Sequence, residues 1–312
     1  MSTATKPASK RGITKRGTTD EHGAGKRAAT KRAASKRTRK IGLNAAGLAV
    51  FLFAVFPVFW MVMTAFKSNE DINSPVPLPV PVHWTLEHFR AVISGQGLEF
   101  GLFHFFLNSA IVALVTVLVA GLISLLAAYA VARIRFRGRA SFLVMLIIVQ
   151  MVPLEALMLP LMLNAQRLQM LNSLIGLIVV YIGSALGFSI LMLRGFVAAV
   201  PRQLEEAAAI DGASGRTIFW RITFPLVAPG LAATSIFSFV TVWNEFVIAF
   251  AFLKDQEHYL LPLTLSYHFG RTQVEWGSIM AASTLFTIPV MIFFLIVQRR
   301  MVSGLVAGAV KG

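Results

Sequence analysis

Long apolar segments and short polar ones alternate along the chain after residue 40. A helix that crosses the roughly 30 Å hydrocarbon core of a bilayer needs about 20 consecutive, mostly apolar residues. Six segments meet this requirement, so the pattern predicts an all-α integral membrane protein with six transmembrane helices. Their predicted bounds are residues 41–66, 103–132, 140–163, 173–194, 226–252 and 278–298.

The polar segment between the fourth and fifth spans, residues 204–225, has more pattern than a flexible linker. Its first third is rich in helix-forming residues, and Asp211-Gly212 is a typical turn sequence. Ser214 suits the N-cap of a second short helix, and Pro225 suits the first turn of the following span, where its missing N–H costs nothing. We therefore predict two short helices joined by a turn, an element suited to docking onto a partner.

Basic residues predict the orientation, because cytoplasmic links of membrane proteins are enriched in Lys and Arg. The links on the opposite side, after the first, third and fifth spans, carry only five such residues between them. We therefore predict that both termini and residues 204–225 are cytoplasmic. The basic residues on that side, apart from the N-terminus, are Arg133, Arg135, Arg137, Arg139, Arg194, Arg202, Arg216, Arg221, Arg299, Arg300 and Lys311.

Charge is concentrated at the N-terminus. Residues 1–40 hold 13 Lys or Arg and two acidic residues, and so supply +11 of the net charge of +15. The chain as a whole is 56% hydrophobic with a mean hydropathy of +0.70, which argues against a nucleic-acid-binding protein. We predict that residues 1–40 are a disordered basic cytoplasmic tail that meets anionic lipid, or alternatively a specific macromolecular partner, and that residues 41–312 form the membrane domain.

The two longest links predicted to face outward differ in character. Four prolines within residues 75–81 predict a stiff, extended arm, followed by a short helix over 86–93. Residues 254–277 are polar and aromatic, which is typical either of an aromatic belt at the membrane interface or of a loop that touches an external partner or its ligand. The side chains concerned are His258, Tyr259, Tyr267, His268, Phe269 and Trp276.

The pattern Glu206-Ala207-Ala208, Gly212, Ile222 and Phe224-Pro225 closely resembles the EAA loop of binding-protein-dependent ABC importer permeases. Further stretches, such as AAYAVARIRFRGR from residue 127 and QRRMVSGLVAGAVKG at the C-terminus, resemble the carbohydrate-uptake branch related to the second maltose permease subunit. The resemblance covers about residues 45–312. It implies a type I ABC importer permease fold and a multi-pass protein of the bacterial cell membrane.

The resemblance also implies partners. These are a second permease subunit that forms a heterodimer, two ATPase subunits or an ATPase dimer, and an extracytoplasmic sugar-binding protein, besides membrane lipid. ATP and Mg²⁺ would be bound by the partner ATPase, and no cofactor by this chain. The sequence has no G-x-x-x-x-G-K-[ST] motif, so we predict a transport subunit that does not itself hydrolyse ATP.

The residues implied to couple this chain to the ATPase lie within residues 201–225. Glu206 would present its carboxylate to the ATPase, with a local ion pair to Arg202 as the alternative. Three apolar side chains, those of Phe219, Trp220 and Ile222, would pack either in the ATPase cleft or against the permease's own core. The complete coupling set is Glu206, Ala207, Ala208, Asp211, Gly212, Phe219, Ile222 and Pro225.

Polar side chains within the spans are the candidates for the substrate pathway, because charged groups in a membrane are costly. Glu155 follows Pro153 in the outer half of the third span, and Asn244 and Glu245 lie in the outer half of the fifth. Each would contact sugar hydroxyls, bond a neighbouring helix or reach the outer interface.

The leading functional hypothesis is a permease subunit of an importer for a sugar or oligosaccharide. The same architecture importing a polyol or a glycerol phosphate is an alternative. A self-sufficient secondary transporter is a second alternative, but it predicts ion-coupling carboxylates at mid-membrane and internal repeats, and the sequence shows neither.

Overall fold

The computed structural model describes residues 20–266 and 274–309, and it divides the chain into two compact units, Met1–Phe59 and Trp60–Gly312. Apart from isolated β-bridge residues, such as the pair Lys67 and Trp84, the regular structure of the described residues is helical. The α-helices of these residues are α1 (Asp20–Ala65), α2 (Asn69–Ile72), α3 (Glu87–Ser94), α4 (Leu102–Arg133), α5 (Arg139–Met151), α6 (Met158–Arg167), α7 (Leu174–Ala199), α8 (Arg202–Ile210), α9 (Gly215–Ile218), α10 (Phe224–Trp243), α11 (Val247–Phe252), α12 (Leu261–Leu265) and α13 (Trp276–Ala309).

Five helical segments among the described residues are long and apolar enough to cross a membrane: Gly42–Ala65, Leu102–Arg133, Leu174–Ala199, Gly215–Trp243 and Trp276–Gln298. The first, second, fourth and sixth predicted spans are confirmed, and their ends lie within five residues of the predicted ones. A sixth crossing is obtained only when the bent pair of α5 and α6 is counted as one span.

The prediction of one continuous third helix over residues 140–163 is wrong. Helix α5 ends at Met151, a 3₁₀ turn follows over Leu154–Leu157, and the chain direction changes by 88° before α6. Pro153 explains the break, because it has no N–H to continue the helical hydrogen bonds and disfavours helical geometry in the residue before it. Val152 accordingly has extended backbone angles, with φ −84° and ψ 117°.

The fifth predicted span, residues 226–252, is also not a single helix. Helix α10 ends at Trp243, residues 244–246 leave helical geometry, and α11 begins at Val247. At the other end the chain is helical from Gly215 onward, through a π-helical turn over Phe219–Thr223. The second short helix predicted in the polar segment is therefore the beginning of the fifth span.

Helix α4 packs along α7, and α10 packs against α13, α4 and α7. The residues buried among these helices form two main apolar cores. One includes the fully buried side chains of Phe105, Tyr181 and Phe252. The other includes Val200 and Phe219, so it connects residues 201–225 to the membrane helices.

The described part of the basic N-terminal segment is helical, because α1 begins at Asp20. This differs from the predicted disorder of residues 1–40, and residues 1–19 lie outside the described residues. Ala, Lys and Arg, which dominate this segment, are among the strongest helix formers.

Two asparagines hold the link that follows α11. Asn172 accepts hydrogen bonds from the backbone N–H groups of Lys254 and Asp255, at 2.8 and 3.1 Å. Asn108 of α4 donates to the carbonyl oxygens of Glu257 and Tyr259, at 2.8 and 3.1 Å. This part of the link is therefore well ordered against the helices. The predicted aromatic contacts of Tyr267, His268 and Phe269 lie outside the described residues.

The link between α1 and α4 is organised by one buried carboxylate, that of Asp71. Its Oδ2 accepts hydrogen bonds from the N–H groups of Val82 and His83, each at 2.8 Å, and its Oδ1 lies 3.0 Å from His83 Nδ1. These contacts close the proline-rich arm back onto α2. The short helix predicted over residues 86–93 is confirmed as α3.

The pKa of Asp71 is held below its ordinary value, first by the backbone N–H of His83 and then by the His83 ring and the Val82 N–H, although burial opposes this. The stabilisation from this carboxylate is therefore complete above the ordinary Asp pKa of about 3.9 and is lost as the pH falls through the lower folded-state value.

We expect the amides of Val82 and His83 to stay protected from hydrogen exchange, corrected for intrinsic rates, until the pH falls below about 4. Asp71→Asn should expose them at neutral pH, while Glu70→Gln, the exposed neighbour, should not. Equal protection in both variants would contradict this assignment.

Candidate functional site

The predicted turn within residues 201–225 is a capped helix end. The N–H of Gly212 donates to the carbonyl of Ala209 at 3.1 Å, and that of Ala213 to the carbonyl of Ala208 at 2.9 Å, which is the Schellman pattern. Gly212 has φ +83°, a left-handed conformation that glycine adopts without steric cost. On the far side of the turn, Ser214 caps α9 through its hydroxyl, as the sequence also predicts. The turn thus has one defined geometry.

Phe219 lies in the chain's own core. Its ring is 94% buried and meets the Tyr129 ring edge-on at 4.9 Å between centroids. Trp220 is exposed, Ile222 is half-buried, and Pro225 is exposed in the first turn of α10. Of the two packing alternatives for the aromatic pair, Phe219 takes the internal one and Trp220 remains at the surface.

Glu205, which the sequence analysis does not single out, forms the main polar contact of this segment. Its Oε1 accepts hydrogen bonds from Arg133 Nε and from the hydroxyl of Thr223, each at 2.9 Å. Arg133 also donates through Nη2 to the carbonyl oxygen of Val200, at 2.7 Å. The Arg133 and Glu205 side chains are 8% and 14% exposed, so the ion pair is largely shielded from solvent.

Glu206, the next residue, is exposed, and its carboxylate forms no hydrogen bond or ion pair with any described residue. The alternative local pair with Arg202 is not formed, because Arg202 donates instead to the carbonyl of Ala132 at 3.4 Å. Successive residues of a helix lie about 100° apart, which explains why one glutamate is inward and the next outward. The same outward surface contains Ala207 and Asp211, together with Ile210, which is 87% exposed; Ala208 is half-buried.

Glu245 lies at the break in the fifth span, where it caps α11. Its two oxygens accept hydrogen bonds from the N–H groups of Ile248 and Ala249, at 2.8 and 3.0 Å. It also accepts a hydrogen bond from the hydroxyl of Tyr181 on α7. Of the alternatives stated for this residue, the structure shows bonding to neighbouring helices.

Asn244 is exposed beside a cavity of about 360 Å³. Its amide nitrogen donates to the carbonyl of Val240 at 2.8 Å, which covers the end of α10. The rest of the wall is mostly aromatic and apolar, with one hydroxyl, a composition that suits the faces and edges of a sugar ring. The other lining residues are Trp243, Phe246, Pro262, Leu265, Ser266 and Phe286.

Glu155 lies apart from this cavity, in the 3₁₀ turn that joins α5 to α6. It is exposed, and its carboxylate has no hydrogen-bond partner among the described residues. The structure therefore does not bring Glu155 together with Asn244 and Glu245. No group of three or more His, Asp or Glu side chains in the described ranges is placed to hold a metal ion.

Two features of this site escape a reading of the sequence alone. The partner of Glu205 is Arg133, which lies 72 residues earlier in the chain. Arg133 is the first of four arginines at alternate positions, and the sequence does not indicate which of them forms the ion pair. Tyr181 lies among apolar residues and carries no motif. The alternation of inward and outward faces along a helix is the one pattern that could have separated Glu205 from Glu206.

These helices and the capped segment between two of them define a multi-pass α-helical protein of the cytoplasmic membrane. The chain belongs to the family described as "Binding-protein-dependent transport system inner membrane component", which matches residues 120–306. It is a permease subunit of an ABC transporter and not an enzyme, and the ATPase of such a transporter is a separate subunit.

Similar proteins agree with this assignment. The diacetylchitobiose uptake system permease protein DasC of Streptomyces coelicolor is 42% identical over 276 residues, which are 88% of this chain and 98% of that protein. The trehalose/maltose transport system permease protein MalG of Thermococcus litoralis is 34% identical, with the same coverage of both chains. A chain in the crystal structure of a bacterial ABC transporter involved in the import of the acidic polysaccharide alginate has the same fold, with a TM-score of 0.71, 23% identity, and coverage of 85% of this chain and 97% of that one.

We expect Glu245→Ala to destabilise the protein, because it leaves the Ile248 and Ala249 N–H groups and the Tyr181 hydroxyl without an acceptor, at about 1–3 kcal/mol for each buried group. Glu245→Gln retains one oxygen acceptor and should cost less. The thermal unfolding midpoint in detergent should therefore rise from Glu245→Ala to Glu245→Gln to wild type. Asn244→Ala is the control, since it removes one bond at the exposed neighbour. An unchanged midpoint for Glu245→Ala would show that the cap contributes nothing.

Proposed function

We propose that this chain is one of two permease subunits of a bacterial importer for a sugar or oligosaccharide. The observation that carries the proposal is the exposed face of α8, where Glu206 and Ile210 lie at the surface of a helix that the buried Glu205 fixes to the membrane helices. An exposed isoleucine beside an unpaired carboxylate is suited to a protein partner. The sugar is proposed because similar permeases serve diacetylchitobiose and trehalose/maltose transport.

The proposed topology has six spans, with α5 and α6 counted together as the third. Both termini and residues 201–225 are cytoplasmic in this arrangement. Support comes from the basic residues that cluster at the ends of α4 and α7 and in the C-terminal part of α13, on the side that becomes cytoplasmic. Residues 1–40 would then meet anionic lipid at the inner surface.

The ATPase partner docks on the outward surface of α8 and the turn after it. Glu206 offers a carboxylate to a basic group of the ATPase, and Ala207 permits close approach. Asp211 and Gly212 are exposed and shape the end of the docking helix. The remaining members of the coupling set, Ala208, Phe219, Ile222 and Pro225, are proposed to hold the segment in this shape. ATP and Mg²⁺ bind to the ATPase, whose two copies serve this chain and a second permease subunit.

The proposed substrate pathway passes the cavity beside Asn244. The side-chain amide of Asn244 can form hydrogen bonds with sugar hydroxyls, while Trp243 and Phe286 provide apolar walls. Glu245 acts indirectly, because it holds the break in the fifth span that places Asn244 at the surface. Glu155 lies on a different break and contacts substrate only if the pathway extends past α6.

The implied mechanism is alternating access. ATP binding closes the ATPase dimer, and the docked helices move with it, so that the spans switch from the inward-facing to the outward-facing state. The extracytoplasmic binding protein then releases its sugar into the cavity of the outward-facing permease pair. Hydrolysis then returns the permease to the inward-facing state, from which the sugar reaches the cytoplasm.

Replacing Glu206 tests this proposal. We expect Glu206→Ala to reduce sugar uptake and co-purification of the ATPase, because loss of a charge-assisted hydrogen bond weakens docking by about ten- to a hundredfold. Glu87→Ala, which removes an equally exposed carboxylate on the link between α1 and α4, should transport normally. The chain should still insert into the membrane in both variants. Normal ATPase co-purification with Glu206→Ala would contradict docking through this surface.

The identity of the solute is tested separately. A deletion strain should lose uptake of a labelled oligosaccharide, such as diacetylchitobiose or trehalose, and regain it when the gene is restored. Loss of polyol or glycerol phosphate uptake, with oligosaccharide uptake intact, would overturn the sugar assignment while leaving the importer class in place.

A further inference from the structure

The ion pair of Arg133 and Glu205 joins four parts of the chain at one point. Arg133 is the last residue of α4, and its guanidinium also donates a hydrogen bond to the carbonyl of Val200, the residue directly after α7. Glu205 belongs to α8, and its carboxylate also holds the hydroxyl of Thr223, the residue directly before α10. Three membrane helices and the proposed docking helix are therefore connected through one carboxylate and one guanidinium.

Apolar packing reinforces this connection. Val200 and Phe219 are buried in the same core as Leu125 of α4 and Leu193 of α7. The segment between α7 and α8 is only Val200-Pro201, and proline restricts its backbone. Helix α8 is thus joined to α7 by a two-residue segment and tied through the Glu205 side chain to α4 and to the residue before α10, which restricts its independent movement.

The π-helical turn over Phe219–Thr223 points to the same arrangement. π-Helical turns are rare in proteins, and those that occur are often found at functional sites. Here the turn accompanies two contacts with α4 and α8: the Phe219 ring meets Tyr129, and the Thr223 hydroxyl meets Glu205.

A buried ion pair is often no more stabilising than well-packed apolar side chains, so stability alone is a weak explanation for this one. Its geometric effect is specific. One oxygen, Glu205 Oε1, receives bonds from residues 72 positions before it and 18 positions after it. Any displacement of α8 must either break these bonds or carry the ends of α4 and α10 with it.

We propose that Arg133, Glu205 and Thr223 form the joint that transmits movement of α8 to the spans. They act as positioning residues, and they touch neither the ATPase nor the sugar. This inference rests on the proposed function. The two adjacent glutamates then have separate roles: Glu206 binds the ATPase, and Glu205 passes its movement to α4, α7 and α10.

The test uses Thr223→Val, which keeps the size of the side chain and removes the hydroxyl, beside Thr223→Ser, which keeps the hydroxyl. The complete importer, with both permeases, the ATPase and the binding protein, is reconstituted in liposomes. The measurements are ATPase co-purification and the number of ATP molecules hydrolysed per sugar transported. With Thr223→Val we expect normal co-purification and a ratio raised about fivefold, the loss expected for one hydrogen bond in the transmitting contact. Thr223→Ser should retain the wild-type ratio.

Glu205→Gln provides a second measurement, since it keeps an oxygen acceptor but removes the charge, and its ratio should also rise. An unchanged ratio in both Thr223→Val and Glu205→Gln would overturn the inference. Loss of assembly in both would overturn it too, because the contact would then serve folding and not transmission. Failure of the proposed function gives a different result: the wild-type chain would then not co-purify with an ATPase.

Discussion

A helix that stops leaves backbone N–H and C=O groups without partners, and this constraint governs the structure at the break between α10 and α11. The break is closed on both sides by consecutive residues. The Asn244 amide covers the carbonyl of Val240 at the end of α10, and the Glu245 carboxylate covers the first free N–H groups of α11. Tyr181 then binds the same carboxylate, so the break is fixed to α7. An interruption that would otherwise destabilise the span becomes a defined bend beside a cavity.

This arrangement changes how the polar residues of the spans should be interpreted. A carboxylate in a membrane segment is commonly assigned to a ligand or an ion, because its burial is costly. For Glu245 that cost is offset locally by hydrogen bonds from two backbone N–H groups and from the Tyr181 hydroxyl. In the proposed pathway, the solute contacts the surface that the bend exposes, which combines the Asn244 side chain with aromatic walls. The carboxylate of Glu245 then fixes the shape of this surface, and the neighbouring Asn244 is the group proposed to bind the solute.

The sequence predicts those parts of the structure that depend on composition and on local chemistry. Apolar length located α4, α7 and α13, and the turn chemistry of Gly212 and Ser214 located the capped segment. It predicts poorly what depends on a distant partner. The break at Pro153 was missed because hydropathy continues across it, although the proline itself is visible. The pairing of Glu205 with Arg133 joins residues 72 positions apart, and no local pattern distinguishes that arginine from its neighbours.

The polar contacts around Glu205 and around Glu245 lie at opposite ends of the same pair of helices. Helix α10 follows Thr223, which bonds Glu205, and ends at the break held by Glu245; its 20 residues span about 30 Å. Helix α7 is followed directly by Val200, whose carbonyl accepts a hydrogen bond from Arg133, and α7 carries Tyr181 nearer its beginning, where the Tyr181 hydroxyl donates to Glu245. Helices α7 and α10 are thus tied together at both ends by hydrogen bonds, one tie beside the docking helix and one beside the cavity. A packed helix pair tied in this way resists separation, so in the proposed mechanism a displacement applied at the first tie moves the pair as a unit and is carried to the second.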